Sequence, residues 1–326
     1  MNFTNASSSH GIQLHHETVL RSIVFITVSS CLCLVTCSLT ILLMVVIIRQ
    51  KSLFSGAKML ILHQLVVELQ MTVIHWPVHI IAYAVSQNDY YFSTTFCRHY
   101  LIAYMTTMTA GLWGLLILAC HRLLAIASPY NFSHWDRLSI NVVLIITPWF
   151  IGFFDYLYFY LGGDGGFGPM APFGICTFLQ RGVSFAIANT FSTYLPLGLA
   201  GLMYILLFLK AVAINRKRQI WNSSGSLSAE LVQNFRRRIR LARLLFAMTV
   251  IHTLCFASIP LLQSFFMAAY KSDPMTQLWV RQFFCLGYLS TPVMFFALNK
   301  ECWEGAKRIF LQQPPLTPTD TSVKKV

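Results

Sequence analysis

Seven long stretches of this chain are nearly free of charged side chains, near 23–48, 59–85, 100–121, 138–161, 183–209, 244–270 and 280–299. An α-helix rising 1.5 Å per residue needs about 20 apolar residues to cross a ~30 Å hydrocarbon core, and each stretch meets that length. Composition points the same way: 56% of residues are hydrophobic and only 11% charged, with a mean hydropathy of +0.61, whereas soluble domains are about one quarter charged. The expected fold is an all-α membrane protein, a seven-transmembrane helix bundle. Its expected divisions are a tail over 1–22, the bundle over 23–299, an amphipathic surface helix over 300–311 and a second tail over 312–326.

The net charge of +13 does not mark a nucleic-acid protein, because the basic residues recur between apolar runs and do not form one patch with interleaved aromatics. They report topology. One set of connections holds 19 of the 24 Lys and Arg and the opposite set only Arg21, Arg98, Arg181, Lys271 and Arg281. The positive-inside rule then sets the N-terminus outside the cell and the C-terminus in the cytoplasm. The sequons at Asn2 and Asn5 become candidate glycan acceptors on the outside, while those at Asn131 and Asn222 fall inside. The first 20 residues contain no apolar signal-peptide core, so the first apolar run is expected to act as the signal anchor. Of nine cysteines, most lie inside apolar runs; Cys97 and Cys176 fall in loops on the same face. No CxxC or zinc spacing occurs, and no metal or other cofactor is expected.

Several residues stand in an ordered series. Cys97 precedes the third run, Arg122 lies 25 residues later, and Trp149 follows Pro148 in the fourth run. Pro196 and Tyr204 are eight residues apart in the fifth, Pro260 interrupts the sixth, and the seventh reads Thr291-Pro292 with Phe295. Past Asn299, Cys302, Trp303, Ala306, Ile309 and Phe310 alternate with Lys300, Glu304, Lys307 and Arg308 in the pattern of a helix lying on a membrane surface. In this order the series resembles the rhodopsin-like (class A) G-protein-coupled receptors over roughly residues 20–311. The chain departs from that family where an acid usually precedes the third-helix arginine (His121), where helix six carries a tryptophan (Ser258), and where Asn-Pro-x-x-Tyr here reads Thr291-Pro292 with Phe295.

That resemblance implies a plasma-membrane receptor that passes an extracellular ligand's binding to a heterotrimeric G protein. It also implies a Cys97–Cys176 disulfide and a pocket drawn from His79, Tyr104, Met105, Met108, Asn189, Leu261, Leu262, Phe265, Arg281 and Cys285. Tyr104 stands where amine receptors carry an aspartate, which excludes a biogenic amine. Arg281, the one cation at the rim, suits an amphipathic anion such as an acidic lipid, although a guanidinium there can also reach to lipid headgroups. The switch set is His121, Arg122, Tyr204, Arg240, Pro260, Pro292 and Phe295. With His121 and Arg240 in the places of acids, the resting restraint on Arg122 is missing, which raises signalling without ligand unless the altered motifs abolish coupling.

An ionisable group inside a span is a functional candidate by default. Glu68 stands where the family places an acid that can hold sodium, but the partner places read Gly111 and Thr291; hydrogen bonding as the neutral acid is the other reading. His75 and His79, four residues apart, share a helix face and either line the pocket or bind metal. A transporter or channel is the alternative class, but repeat symmetry and several intramembrane charges are not seen. Scattered histidines do not make an enzyme's centre.

Overall fold

A computed structural model describes residues 6–49, 57–127, 132–135, 137–163, 166–170, 173–178, 183–222, 244–256, 258 and 274–311. Arg240, Pro260, Leu261, Leu262, Phe265, Asn2, Asn5 and the segment 312–326 lie outside these residues.

Helix α1 spans Ala6–Arg49, so helix replaces most of the expected polar tail. The apolar helix is already nucleated, and adding turns to it needs one hydrogen bond per residue fixed. Helix α2 runs through Lys58–Gln70, a π-helical turn at Met71–His75 and Trp76–Ser86. Pro77 explains that turn: a proline has no N–H and its ring clashes with the carbonyl four residues back, so the ladder widens just before it. The same device recurs ahead of Pro196. There α5 passes through Val183–Asn189, a π-helical turn at Thr190–Tyr194 and Leu195–Asn222. Helix α3 is Thr94–Ala127, α4 Leu138–Tyr160, α6 Leu244–Phe256, α7 Pro274–Leu298 and α8 Lys300–Phe310.

Among the described residues, five helices are long and apolar enough to cross a membrane: the Val19–Arg49 part of α1, α2, α3, α4 and the Val183–Lys210 part of α5. Helix α3 is their axis. It packs against α2, α4 and α5, and 67% of its most apolar window is buried, against 17% for α4. Helix α4 therefore turns Phe150, Phe153, Phe154 and Tyr158 outward, as a helix facing lipid does. It approaches α3 backbone to backbone at Gly152, where an added Cβ would lie 2.7 Å from the Thr106 carbonyl oxygen.

The glycine-rich connection between α4 and α5 contains an antiparallel pair, β1 (Phe167–Met170) and β2 (Ile175–Phe178). Cys176 of β2 is disulfide-bonded to Cys97 of α3. Gly174 turns into β2 at φ +65°, and a Cβ there would sit 2.6 Å from the Ala82 carbonyl oxygen of α2. Only glycine fits so close an approach at that φ.

At the other end of the bundle, the Asn299 side chain caps α8 by accepting from the Glu301 and Cys302 N–H groups at 3.0 and 3.4 Å. Cys302 and Ala306 join the main apolar core with Leu43, Ile47 and Phe295, while Trp303 and Phe310 stay exposed. Burial, with the adjacent Glu301 carboxylate adding to it, pushes the Cys302 thiol up to about 12.

Candidate functional site

The π-helical turn rotates the end of α2 so that both histidines face α3. The His75 Nε2 lies 3.3 Å from the Thr107 hydroxyl, and the Tyr100 hydroxyl donates to the His75 carbonyl at 3.0 Å. The ring of His79 packs edge-on to Tyr100 and Tyr104 at centroid distances of 5.8 and 5.3 Å. Aromatic neighbours of this kind wall a pocket, and among the described residues no third His, Cys, Asp or Glu joins the pair.

Beside them is a cavity of about 60 Å³. His79 and Tyr104 line it together with Arg281 of α7, and the sequence reading had named all three. Trp76, Phe25 and Phe284 complete its apolar walls, and Ile175 of β2 closes it on the disulfide side. Arg281 is paired with no carboxylate among the described residues. The other named pocket residues with described positions do not line the cavity. Met105 packs toward Leu101 and Tyr156, Cys285 is buried with Cys33, Trp76 and Ile80, Met108 is buried, and the Asn189 side chain accepts from the Thr193 hydroxyl at 3.4 Å. Phe25, Trp76, Ile80, Ile175, Leu278 and Phe284 were not named from sequence. An apolar residue in an all-apolar helix gives no periodic signal that tells cavity from lipid.

A chain of buried polar groups lies deeper. The Thr291 hydroxyl of α7 donates to Glu68 Oε1 of α2 at 2.7 Å and is 3.2 Å from His252 Nε2 of α6. His252 Nε2 donates to the Gly287 carbonyl at 2.8 Å. All three side chains are at most 1% exposed, so three helices are tied together where no water competes for the bonds. His252 was visible in the sequence only as one of several scattered histidines. Asp155 in α4 was not singled out at all; its carboxyl lies beside Ser192 of α5, whose hydroxyl is 2.7 Å from the Tyr156 hydroxyl.

Toward the α8 end, the fully buried Tyr204 of α5 is grouped with Arg122 and Cys120 of α3 and Thr249 of α6. Arg122 and His121 are both buried, and the His121 ring meets the edge of Phe132 at 5.0 Å. Phe295 joins the same core as Tyr204, and Pro292 lies inside α7. Trp149 of α4 donates through Nε1 to His63 Nε2 of α2 at 2.9 Å.

With a helical membrane architecture, a disulfide tying the long connection to α3, and an arginine and tyrosine grouped at the opposite end, the geometry is that of a transmembrane signalling receptor. The family described as 7 transmembrane receptor (rhodopsin family) matches residues 39–293. The chain belongs to that family, whose members are receptors and not enzymes, and it is a multi-pass membrane protein. No curated protein matches the sequence.

Proposed function

We propose that the protein is a plasma-membrane receptor, N-terminus outside, built as a seven-span bundle with α8 lying on the cytoplasmic membrane surface. It couples an extracellular amphipathic anion to a heterotrimeric G protein. One observation carries the ligand class: Arg281 lines a cavity that is otherwise largely apolar and aromatic, and no described carboxylate pairs with it. A guanidinium presents five N–H donors in a planar fork that matches carboxylate or phosphate two bonds at a time. Tyr104 supplies no counter-charge for an ammonium, which argues against amine ligands.

At about 60 Å³ the cavity takes an acidic head group and little more, so the ligand's apolar body must displace side chains near Phe25 and Phe284 or remain in the lipid. The transporter or channel reading is not favoured by the family match. Thermal stabilisation of the purified receptor by lipid acids, measured against peptides and nucleotides, tests the class. Arg281→Ala should weaken an active acid at least about tenfold, the magnitude of a charge-assisted pair. Unchanged potency in that variant refutes the anion reading.

A further inference from the structure

A second cavity, of about 420 Å³, opens at the Cys97 end of the bundle between the first turns of α3, the end of α4 and the approach to β1. It shares no lining residue with the cavity at Arg281. Its volume falls in the range of ~300–1,000 Å³ usual for small-molecule sites, which the Arg281 cavity does not reach. Arg98 is the only formally charged residue among its described lining.

The charge is held in place. The Arg98 guanidinium stands 4.9 Å over the Tyr160 ring and donates through Nη2 to the Tyr160 carbonyl. The Tyr160 hydroxyl in turn is hydrogen-bonded to His99 Nδ1 at 3.0 Å. That carbonyl uses one of the five guanidinium donors. The Nε–H is buried and meets no acceptor, and no carboxylate among the described residues pairs with the group. Phe159 and Phe167 add aromatic wall beside the Tyr160 ring. A fixed cation with spare donors, set against aromatic faces in an open bowl, matches an acid joined to a ring.

We infer that this bowl is a second ligand site, for a small soluble aromatic carboxylate whose acid group pairs with Arg98 and whose ring lies against Phe167, with the buried Phe159 behind it. The site stands independently of the Arg281 reading. Phe159 and Phe167 also pack into the cluster that Tyr104, a lining residue of the other cavity, borders.

The test uses the purified full chain in zwitterionic nanodiscs, with 1-naphthoate as the probe and neutral 1-naphthamide as its control, both read by saturation-transfer NMR titration. Saturable naphthoate binding at least about tenfold tighter than the amide is expected. Because that comparison needs no substitution, it survives any folding defect in a variant. Arg98→Gln should reduce naphthoate binding by about the same factor, Arg98→Lys should recover part of it, and Arg281→Gln should leave it unchanged. The inference is overturned by an absence of saturable binding, by equal affinity for acid and amide, or by binding that is lost with Arg281→Gln and kept with Arg98→Gln. Displacement of the probe by phosphatidylglycerol added to the discs would assign the bowl to a lipid headgroup and overturn it equally.

Discussion

Replacing Thr291 with valine removes one hydroxyl while keeping the branched shape, and the polar chain around Glu68 makes the consequence calculable. The hydroxyl is the donor to Glu68 Oε1 at 2.7 Å, and Oε2 meets no donor within hydrogen-bond distance. After the substitution the carboxyl, in a side chain that is 0% exposed, keeps only its neighbour Gln64 one turn back on α2. Leaving a buried acceptor unmatched costs about 1–3 kcal/mol in water-soluble proteins. Interhelical hydrogen bonds in membranes average only ~0.6 kcal/mol and reach ~1.7, because a helix separated in lipid finds other partners. With the α7 donor lost and Gln64 remaining beside the carboxyl, Thr291→Val falls within the membrane range, about 0.6–1.7 kcal/mol.

Reversible unfolding in mixed micelles measures the change, and a double-mutant cycle assigns it. In a Glu68→Leu background the acceptor is gone, so Thr291→Val should cost little beyond its contact with His252. A coupling energy of at least about 0.5 kcal/mol is the expected result. Additive effects, or a Thr291→Val protein as stable as the wild type, would refute the claim that this hydroxyl joins α2 to α7.

Gly152→Ala places a methyl 2.7 Å from the Thr106 carbonyl oxygen and 3.1 Å from the Thr109 Cβ; with backbone as the obstacle, a loss of about 1–3 kcal/mol is expected, and an unchanged unfolding midpoint would show that α3 and α4 part easily. Cys302 should resist maleimide at pH 8 in the folded receptor and react on unfolding, because a thiol pushed up to about 12 stays protonated there and only the thiolate reacts; peptide mass spectrometry of the labelled protein reads both states. His121→Asp sets an acid beside Arg122 and should lower ligand-free second-messenger output several-fold at matched surface expression, since ~1.4 kcal/mol of added restraint shifts a two-state ratio tenfold. Equal output from His121→Asp and wild type, or wild-type output equal to that of mock-transfected cells, refutes the missing-restraint argument.

The family and the helical membrane class were legible in the sequence because each depends on a signal that survives without neighbours. Charge exclusion marks a span from its own residues, and Cys97, Arg122, Trp149 and Pro292 keep their order whatever packs around them. Helix rotation was less legible. Tyr104 and Met105 differ by one position, about 100° around α3, and only Tyr104 lines the cavity while Met105 turns to Tyr156. A lipid-facing surface is as apolar as the core, so hydropathy cannot choose between the two. The strand pair in the connection was hidden by its glycines and prolines, whose weak local preference is overridden by the tie from Cys176 to Cys97. The contact of Glu68 with Thr291 bridges 223 positions; nothing local in either segment announces it, and it was legible only through the family resemblance that sets Thr291 among the partner places of Glu68.

The packing at that depth explains why two family motifs could change together. A Cβ at Gly111 would lie 3.0 Å from Val67 Cγ1, so α2 and α3 meet closely there and a larger residue would have to displace the Val67 side chain. Glu68 receives its hydrogen from Thr291 across the bundle, a bond that asparagine at that position need not make in the same geometry. With α7 thus bonded to α2, His252 bonds α6 to the same turn of α7 through the Gly287 carbonyl. Hydrogen bonds of this kind weaken steeply with distance and angle, unlike a charge pair that attracts over several ångströms. Arg281 and Thr291 lie ten residues apart on α7, about 15 Å along one helix, which continues through Pro292 to Leu298. In the proposed reading, a ligand paired with Arg281 would act on the helix that carries both Gly287 and Thr291, whose hydrogen bonds tie α7 to α6 and α2.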